Sequence, residues 1–65
     1  MERQTFNALE RAALSLQRIV TDLYSEADNA VEQENYNDAS LLQSQADLLY
    51  EVVENLETIL TEQEE

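Results

Sequence analysis

Carboxylates and hydroxyls supply most of the groups in this 65-residue chain that could do chemistry. Glu51, Glu54 and Glu57 recur at every third residue, so on a helix they lie near one another and could attract a divalent cation. No His or Asn ligand converges on them, which favours a solvated face over a metal site. The serines have no His, Lys or Cys to activate them, and a chain without Gly builds no phosphate-binding loop. We therefore expect no enzyme activity, no cofactor and no metal.

Charge restricts the partners that this chain can bind. The net charge is −12, and residues 19–65 hold thirteen acidic side chains and no basic one. Such a surface repels nucleic-acid phosphates and anionic lipids, so we expect no direct nucleic-acid or membrane binding. A partner with a basic surface is favoured, although acidic side chains also simply keep small domains soluble. No signal peptide or apolar run of membrane-spanning length is present, which predicts a cytoplasmic protein, in the host cytoplasm if a phage encodes it.

Apolar residues recur at alternating steps of three and four, which indicates two helices that pack through heptad seams. The first seam covers residues 6–30 and the second 39–60, about two residues out of phase with the first. Their members are Phe6, Leu9, Ala13, Leu16, Val20, Leu23, Ala27 and Ala30, then Ala39, Leu42, Ala46, Leu49, Val53, Leu56 and Leu60. In an antiparallel pairing, facing residue numbers sum to 69, which places the turn between Glu34 and Asn35. The predicted fold is all-α, a single domain (1–65) made of an antiparallel two-helix hairpin, with helices at about 3–33 and 36–62.

The turn and the chain end carry weaker signals. Asn35 can accept hydrogen bonds from backbone N–H groups as an N-cap, and Asp38 favours a helix N-terminus. Either Asn35 or Asn37 can take left-handed backbone angles in place of the missing Gly. Residues 61–65 place carboxylates at a helix C-terminus, where the dipole opposes them. We expect this acidic tail to fray unless Arg3 lies nearby, as the antiparallel register would allow.

The seams do not use all the apolar residues. Ala12 is one of those left over, and a larger set forms a further stripe that we predict to bind a partner: Ile19, Tyr24, Val31, Leu41, Leu48, Tyr50, Val52 and Ile59. Two helices cannot bury this width against each other. The favoured solution is a homodimer that forms a four-helix bundle. The alternatives are a hairpin that offers the stripe to a different protein and a self-sufficient monomer.

Parts of the second helix are similar to three families of small helical hairpins. The run from Tyr36 through Leu41-Leu42-Gln43 to Leu48 resembles the second helix of needle-protein co-chaperones of type III secretion. Glu34-Asn35-Tyr36 with Ala39 and Leu42 resembles the UVR motif, a protein-pairing hairpin, although Gln43 and Ser44 stand where its Arg-Asp usually follows. Ala46-Asp47-x-Leu49-Tyr50 resembles the Rop hairpin, which dimerises into a bundle and binds RNA through a basic face that this chain lacks. These resemblances imply the hairpin fold and a role in protein interaction.

Two functions of different classes fit these features. The first is a small acidic inhibitor or regulator that masks the basic, nucleic-acid-binding surface of a target, as phage anti-defence proteins and DNA mimics do. Its predicted acidic face consists of Glu51, Glu54, Glu57, Asp47, Glu32 and Glu34. The second is a co-chaperone or adaptor that holds a helical partner protein through the apolar stripe. The two differ in which face binds.

Overall fold

The fold is an antiparallel hairpin of two long helices. A computed structural model describes residues 1–63, with α1 at Arg3–Glu32 and α2 at Tyr36–Gln63. The two helices contact each other, and the described residues span 47 × 14 × 13 Å. These dimensions are those of two helices lying side by side along most of their length. The predicted hairpin is confirmed, and both helices begin and end within one residue of the predicted positions.

Burial follows the two heptad seams. All fifteen seam residues are buried or half-buried, and Tyr24 is the one other residue among 1–63 that is not exposed. The buried members are small side chains, namely Ala13, Val20, Ala27, Ala30, Ala39, Ala46 and Val53. Ala46 is the most enclosed, with no exposed surface. The apolar periodicity alone therefore specifies which faces of α1 and α2 meet.

Small residues at the first heptad position determine the closeness of the two helices. Ala13, Val20 and Ala27 of α1 and Ala46 and Val53 of α2 let the backbones approach, because each fills little space between the axes. The leucines at the other seam position lie beside these small residues and are half-buried. No large side chain among residues 1–63 is fully buried. The hairpin thus has a narrow core and leaves apolar edges at its surface.

The turn is a C-terminal helix cap without glycine. Glu34 has φ 61°, in the left-handed region. The Asn35 N–H donates to the Ala30 carbonyl at 2.8 Å, and the Glu34 N–H to the Val31 carbonyl at 2.9 Å. This pair of bonds is the Schellman motif, in which the residue after the cap adopts left-handed angles. The prediction that Asn35 or Asn37 takes those angles is wrong, because the last turn of α1 places Glu34 at the position that requires them.

Asn35 is the capping residue immediately before α2. Its carbonyl accepts the Ala39 N–H at 3.1 Å, the first bond of the helix. Its side-chain amide donates to the Asp38 carboxylate at 2.7 Å, whereas the sequence predicted that this side chain would accept from a backbone N–H. The bond holds the negative charge of Asp38 in the first turn of α2, where the helix dipole favours it. The cap residue was predicted correctly and its hydrogen-bonding partner was not.

The N-terminal residues and the last described turn of α2 lie together at the end of the hairpin opposite the turn. Met1, Arg3, Phe6 and Asn7 line one depression with Gln63, as the antiparallel register requires. α1 begins after Glu2, whose side chain makes no capping hydrogen bond. Of the tail predicted to fray, residues 61–63 belong to α2, and residues 64 and 65 lie outside the described part of the chain. The fraying stays a prediction.

Candidate interaction surfaces

The hairpin has two long sides of different chemistry, one on each side of the seam. Gln17, Thr21, Tyr50 and Glu57 line one shallow groove whose floor includes Val20 and Val53. Their heptad positions therefore face the same way on α1 and α2. By helical geometry, residues on the opposite flank of each seam share the other side. We call the first the tyrosine side (it carries Tyr24 and Tyr50) and the second the apolar side, made of Ile19, Leu41, Leu48, Val52 and Ile59.

A hydrogen bond connects the two helices on the tyrosine side. The Tyr24 hydroxyl donates to Oδ1 of Asp47. This bond raises the pKa of Tyr24 above its ordinary value of about 10, because the carboxylate stabilises the protonated phenol; partial burial and the charge of Asp47 act in the same direction. Tyr24 is the half-buried residue outside the seams, so its ring covers the seam edge while its hydroxyl fixes Asp47.

Four carboxylates form a row along α2, on its tyrosine side and on the face that points away from α1. We call Asp47, Glu51, Glu54 and Glu57 the acidic ridge, and all four are exposed. Successive members are three or four residues apart, so each lies within one helical turn of the next. Like charges at this spacing repel, which costs helix stability. A row of this kind is electrostatically suited to a basic partner that relieves the repulsion on binding.

The apolar side holds five of the ten large hydrophobic side chains that are exposed among the described residues. Leu41 and Leu48 are 61% and 56% exposed, and Ile19, Val52 and Ile59 are about two-fifths exposed or more. Along the register, Ile19 of α1 lies level with position 50 of α2, between Leu48 and Val52. The half-buried seam leucines lie next to this flank of the helix. Their exposed edges therefore widen the apolar side beyond its five residues.

The predicted stripe does not form one surface. Five of its eight residues make up the apolar side, whereas Tyr24, Val31 and Tyr50 lie on the tyrosine side. Val31 and Tyr50 are about half exposed, and Tyr24 is partly covered. The heptad positions already contained this division, since Tyr24 and Val31 flank the seam opposite to Ile19. Leu14 is 60% exposed on the tyrosine side of α1 and was not among the predicted residues.

The predicted acidic face is likewise divided. Its four members on α2 form the acidic ridge. Glu32 ends α1, and Glu34 occupies the turn. The turn lies about 18 Å from Asp47 along the helix, at 1.5 Å per residue. Glu32 and Glu34 thus belong to the turn end of the molecule and not to the ridge.

The described residues contain neither a cluster of metal ligands nor a membrane-spanning helix. Within residues 1–63, no three acidic, Cys or His side chains are grouped as metal ligands would be. Neither α1 nor α2, as described, holds a stretch that is both long and apolar enough to cross a bilayer.

Comparisons with known proteins add no relative. No protein family, no curated protein and no solved structure matches the chain. The resemblances of α2 to the hairpin families named above thus remain resemblances over short segments.

Proposed function

We propose that the hairpin is a non-enzymatic protein-binding module, a small acidic inhibitor or regulator that masks a basic, nucleic-acid-binding surface of a target protein. The observation that carries this proposal is the acidic ridge, four exposed carboxylates in a row on a chain with no basic residue after Arg18. A basic protein surface relieves the repulsion within such a row and is attracted to it over long range. Phage anti-defence proteins and DNA mimics act in this way, and we propose the cytoplasm as its compartment.

Charge density supports this proposal. The proposal includes a homodimer in which two hairpins form a four-helix bundle, and such a dimer would carry twice −12, or −24. The hairpin is 47 Å long. Duplex DNA of that length carries about 28 phosphates, at one charge per about 1.7 Å. The dimer and the duplex therefore present similar total charge over the same length, which suits competition for one basic surface.

A second candidate function uses the other side of the molecule. The exposed apolar side favours a co-chaperone or adaptor that holds a helical partner protein, with the carboxylates serving solubility. Apolar patches of this kind, bordered by polar residues, are typical of protein-binding sites. The two candidates make opposite predictions about which substitutions abolish binding.

The test is affinity capture of the target from the source cell with a matched pair of variants. The first variant changes the acidic ridge to Asn and Gln, which lowers the net charge from −12 to −8. The control neutralises four other carboxylates in the same way, at Glu2, Glu10, Asp28 and Glu32. Both variants therefore carry a net charge of −8. We expect the ridge variant to lose the target and the control to keep it. Added salt should release the target from the unmodified protein.

Retention of the target by the ridge variant, or insensitivity to salt, would contradict the proposal. A variant with Leu41→Gln, Leu48→Gln and Ile59→Gln then separates the candidates. Loss of the target from this variant alone supports the adaptor. The purified target should also lose its nucleic-acid binding when the hairpin is added, and unchanged nucleic-acid binding contradicts the inhibitor.

A further inference from the structure

The apolar side of α2 is a continuous uncharged strip on a strongly acidic chain. Leu41, Leu48, Val52 and Ile59 alternate along it with two amides, Gln45 and Asn55. All six side chains are exposed, and none carries a charge. Their numbers advance by four, three, four, three and four, the spacing of a second heptad seam. α2 therefore has one seam that packs on α1 and another, about 100° around the helix, with no cover from its own chain.

The strip is the same when read in either direction. In an antiparallel pairing of two α2 helices about position 50, facing residue numbers sum to 100. Leu41 then faces Ile59 of the second copy, and Leu48 faces its Val52. Gln45 faces the second copy's Asn55, so each amide finds an amide with which it can exchange hydrogen bonds. A two-fold interface requires this self-complementarity, because each contact occurs twice.

The charges of α1 obey the same symmetry. Position 50 of α2 lies level with Ile19 of α1 in the hairpin register. Antiparallel pairing of two α1 helices about Ile19 brings Arg11 close to Glu26 of the second copy and Arg18 close to its Asp22. All four charged side chains are exposed. Two of the three arginines of the chain thus face carboxylates of the second copy, although nothing in the α2 pairing required it.

We infer that a second copy of this chain covers the apolar side, with α2 antiparallel to α2 and α1 antiparallel to α1 about a two-fold axis level with Ile19. This inference rests on the homodimer proposed above and requires nothing of the target. The strip on α2 is about 27 Å long and about 10 Å wide. With a comparable contact along α1, the two copies bury about 1,000 Å² in total, near the lower limit for a specific interface. The dimer therefore dissociates on dilution. The acidic ridge keeps its tyrosine-side members exposed in this arrangement.

Disulfide cross-linking tests the direction and register, because the natural chain has no Cys. Leu41→Cys and Ile59→Cys are made in separate chains, oxidised alone and as a mixture. In the inferred dimer, the mixture places the two sulfurs opposite each other. In a dimer of either variant alone, the two identical Cys residues lie about 27 Å apart, the length of 18 helical residues. We expect covalent dimers from the mixture only. A mixture of Leu41→Cys with Val52→Cys is the mismatched control, about 10 Å out of register.

A charge exchange tests the α1 contact. Arg11→Glu and Glu26→Arg should each weaken dimerisation about tenfold in sedimentation equilibrium, because each turns two attractive pairs into repulsive ones. The double variant should restore the dimer. The two residues lie about 22 Å apart on the same helix, so rescue cannot arise within one chain. Circular dichroism confirms that the helices are intact in each variant.

Three results overturn the inference. A chain that stays monomeric at about 1 mM contradicts both the homodimer and its geometry. A dimer in which Leu41→Cys alone cross-links contradicts the antiparallel arrangement and leaves the homodimer standing. A double charge variant that fails to recover contradicts the α1 contact. Target capture is measured separately, so a failure of the proposed inhibitor is not confused with any of these results.

Discussion

The Tyr24 hydroxyl of α1 donates a hydrogen bond to the Asp47 carboxylate of α2 on the tyrosine side of the hairpin. The two residues are 23 positions apart in the chain. This is the polar side-chain link that joins the two helices in the described residues, whose other side-chain hydrogen bonds are local. Since neither residue belongs to a seam, the bond fixes the register of the helices independently of apolar packing. Its loss should therefore be detectable without disturbing the core.

Ionisation of Tyr24 provides the first prediction. Its pKa is raised by the bond to Asp47, so the bond's contribution to stability is fully present below about pH 10 and is lost as pH rises through the raised pKa. We expect the Tyr24 ring to titrate above the ordinary tyrosine pKa of about 10 in an NMR titration. Asp47→Asn should lower the pKa of Tyr24 toward its ordinary value. Tyr36→Phe, at a side chain that is 62% exposed, should change neither stability nor the Tyr24 titration.

The left-handed turn residue gives a second prediction. Glu34 adopts φ 61° without being a glycine, which costs roughly 1–2 kcal/mol. Glu34→Gly removes that strain and adds freedom to the unfolded chain, so it should raise the free energy of unfolding by about 0.5–1 kcal/mol. Chemical denaturation measures the change. The same substitution two residues earlier, Glu32→Gly, lies within α1 and should instead lower stability by up to about 1 kcal/mol. Equal effects at both positions would contradict the assigned turn.

Overpacking at the centre of the seam gives a third. Ala46 has no exposed surface, so Ala46→Leu forces the helices apart and should cost about 1–3 kcal/mol. Thermal unfolding followed by circular dichroism detects this as a lowered midpoint. Ala8→Leu is the matched control at an exposed position of α1, and its effect should stay within about 0.5 kcal/mol. If the two variants are equally stable, Ala46 does not lie between the helices.

Repulsion within the acidic ridge gives a fourth. Glu51 lies four residues after Asp47 and three before Glu54, so it has a like charge on either side. Glu51→Lys converts both neighbours into attractive pairs and should stabilise the hairpin by about 0.5–1 kcal/mol at low salt. Added salt should stabilise the natural chain and reduce the advantage of the variant. An advantage that persists in high salt would indicate a cause other than charge.

The seams could be predicted from the sequence because periodicity determines which face of a helix is buried. Every residue from Phe6 to Leu60 that was assigned to a seam is buried or half-buried, and the turn follows from their register. The left-handed residue could not be predicted from propensity, since the end of α1 fixes that position on Glu34 whatever its type. The Tyr24–Asp47 bond also escaped prediction. Its signal was the register, which places these two positions at nearly the same height on one side of the seam.

The predicted apolar stripe and acidic face were less accurate than the seams, because residue type alone does not say which side of a helix a residue faces. The predicted stripe was assembled from apolar residues left over after the seams, and its tyrosines turn out to lie opposite its leucines. Glu32 and Glu34 were joined to the acidic ridge on charge alone, although the turn separates them from it. Heptad positions separate the leucines of the stripe from its tyrosines, whereas Glu32 and Glu34 are separated from the ridge by their distance along the hairpin.

The register of the hairpin also sets an order of assembly. Facing seam residues are only nine positions apart at the turn, at Ala30 and Ala39, and about fifty apart at the open end. Closing short loops loses less chain entropy than closing long ones, so we expect pairing to begin beside Glu34 and to proceed away from the turn. We expect opening to take the reverse route, so that amide hydrogens near Arg3 and Gln63 exchange first. The glycine-free turn would then be both the starting point of folding and the last part to come apart.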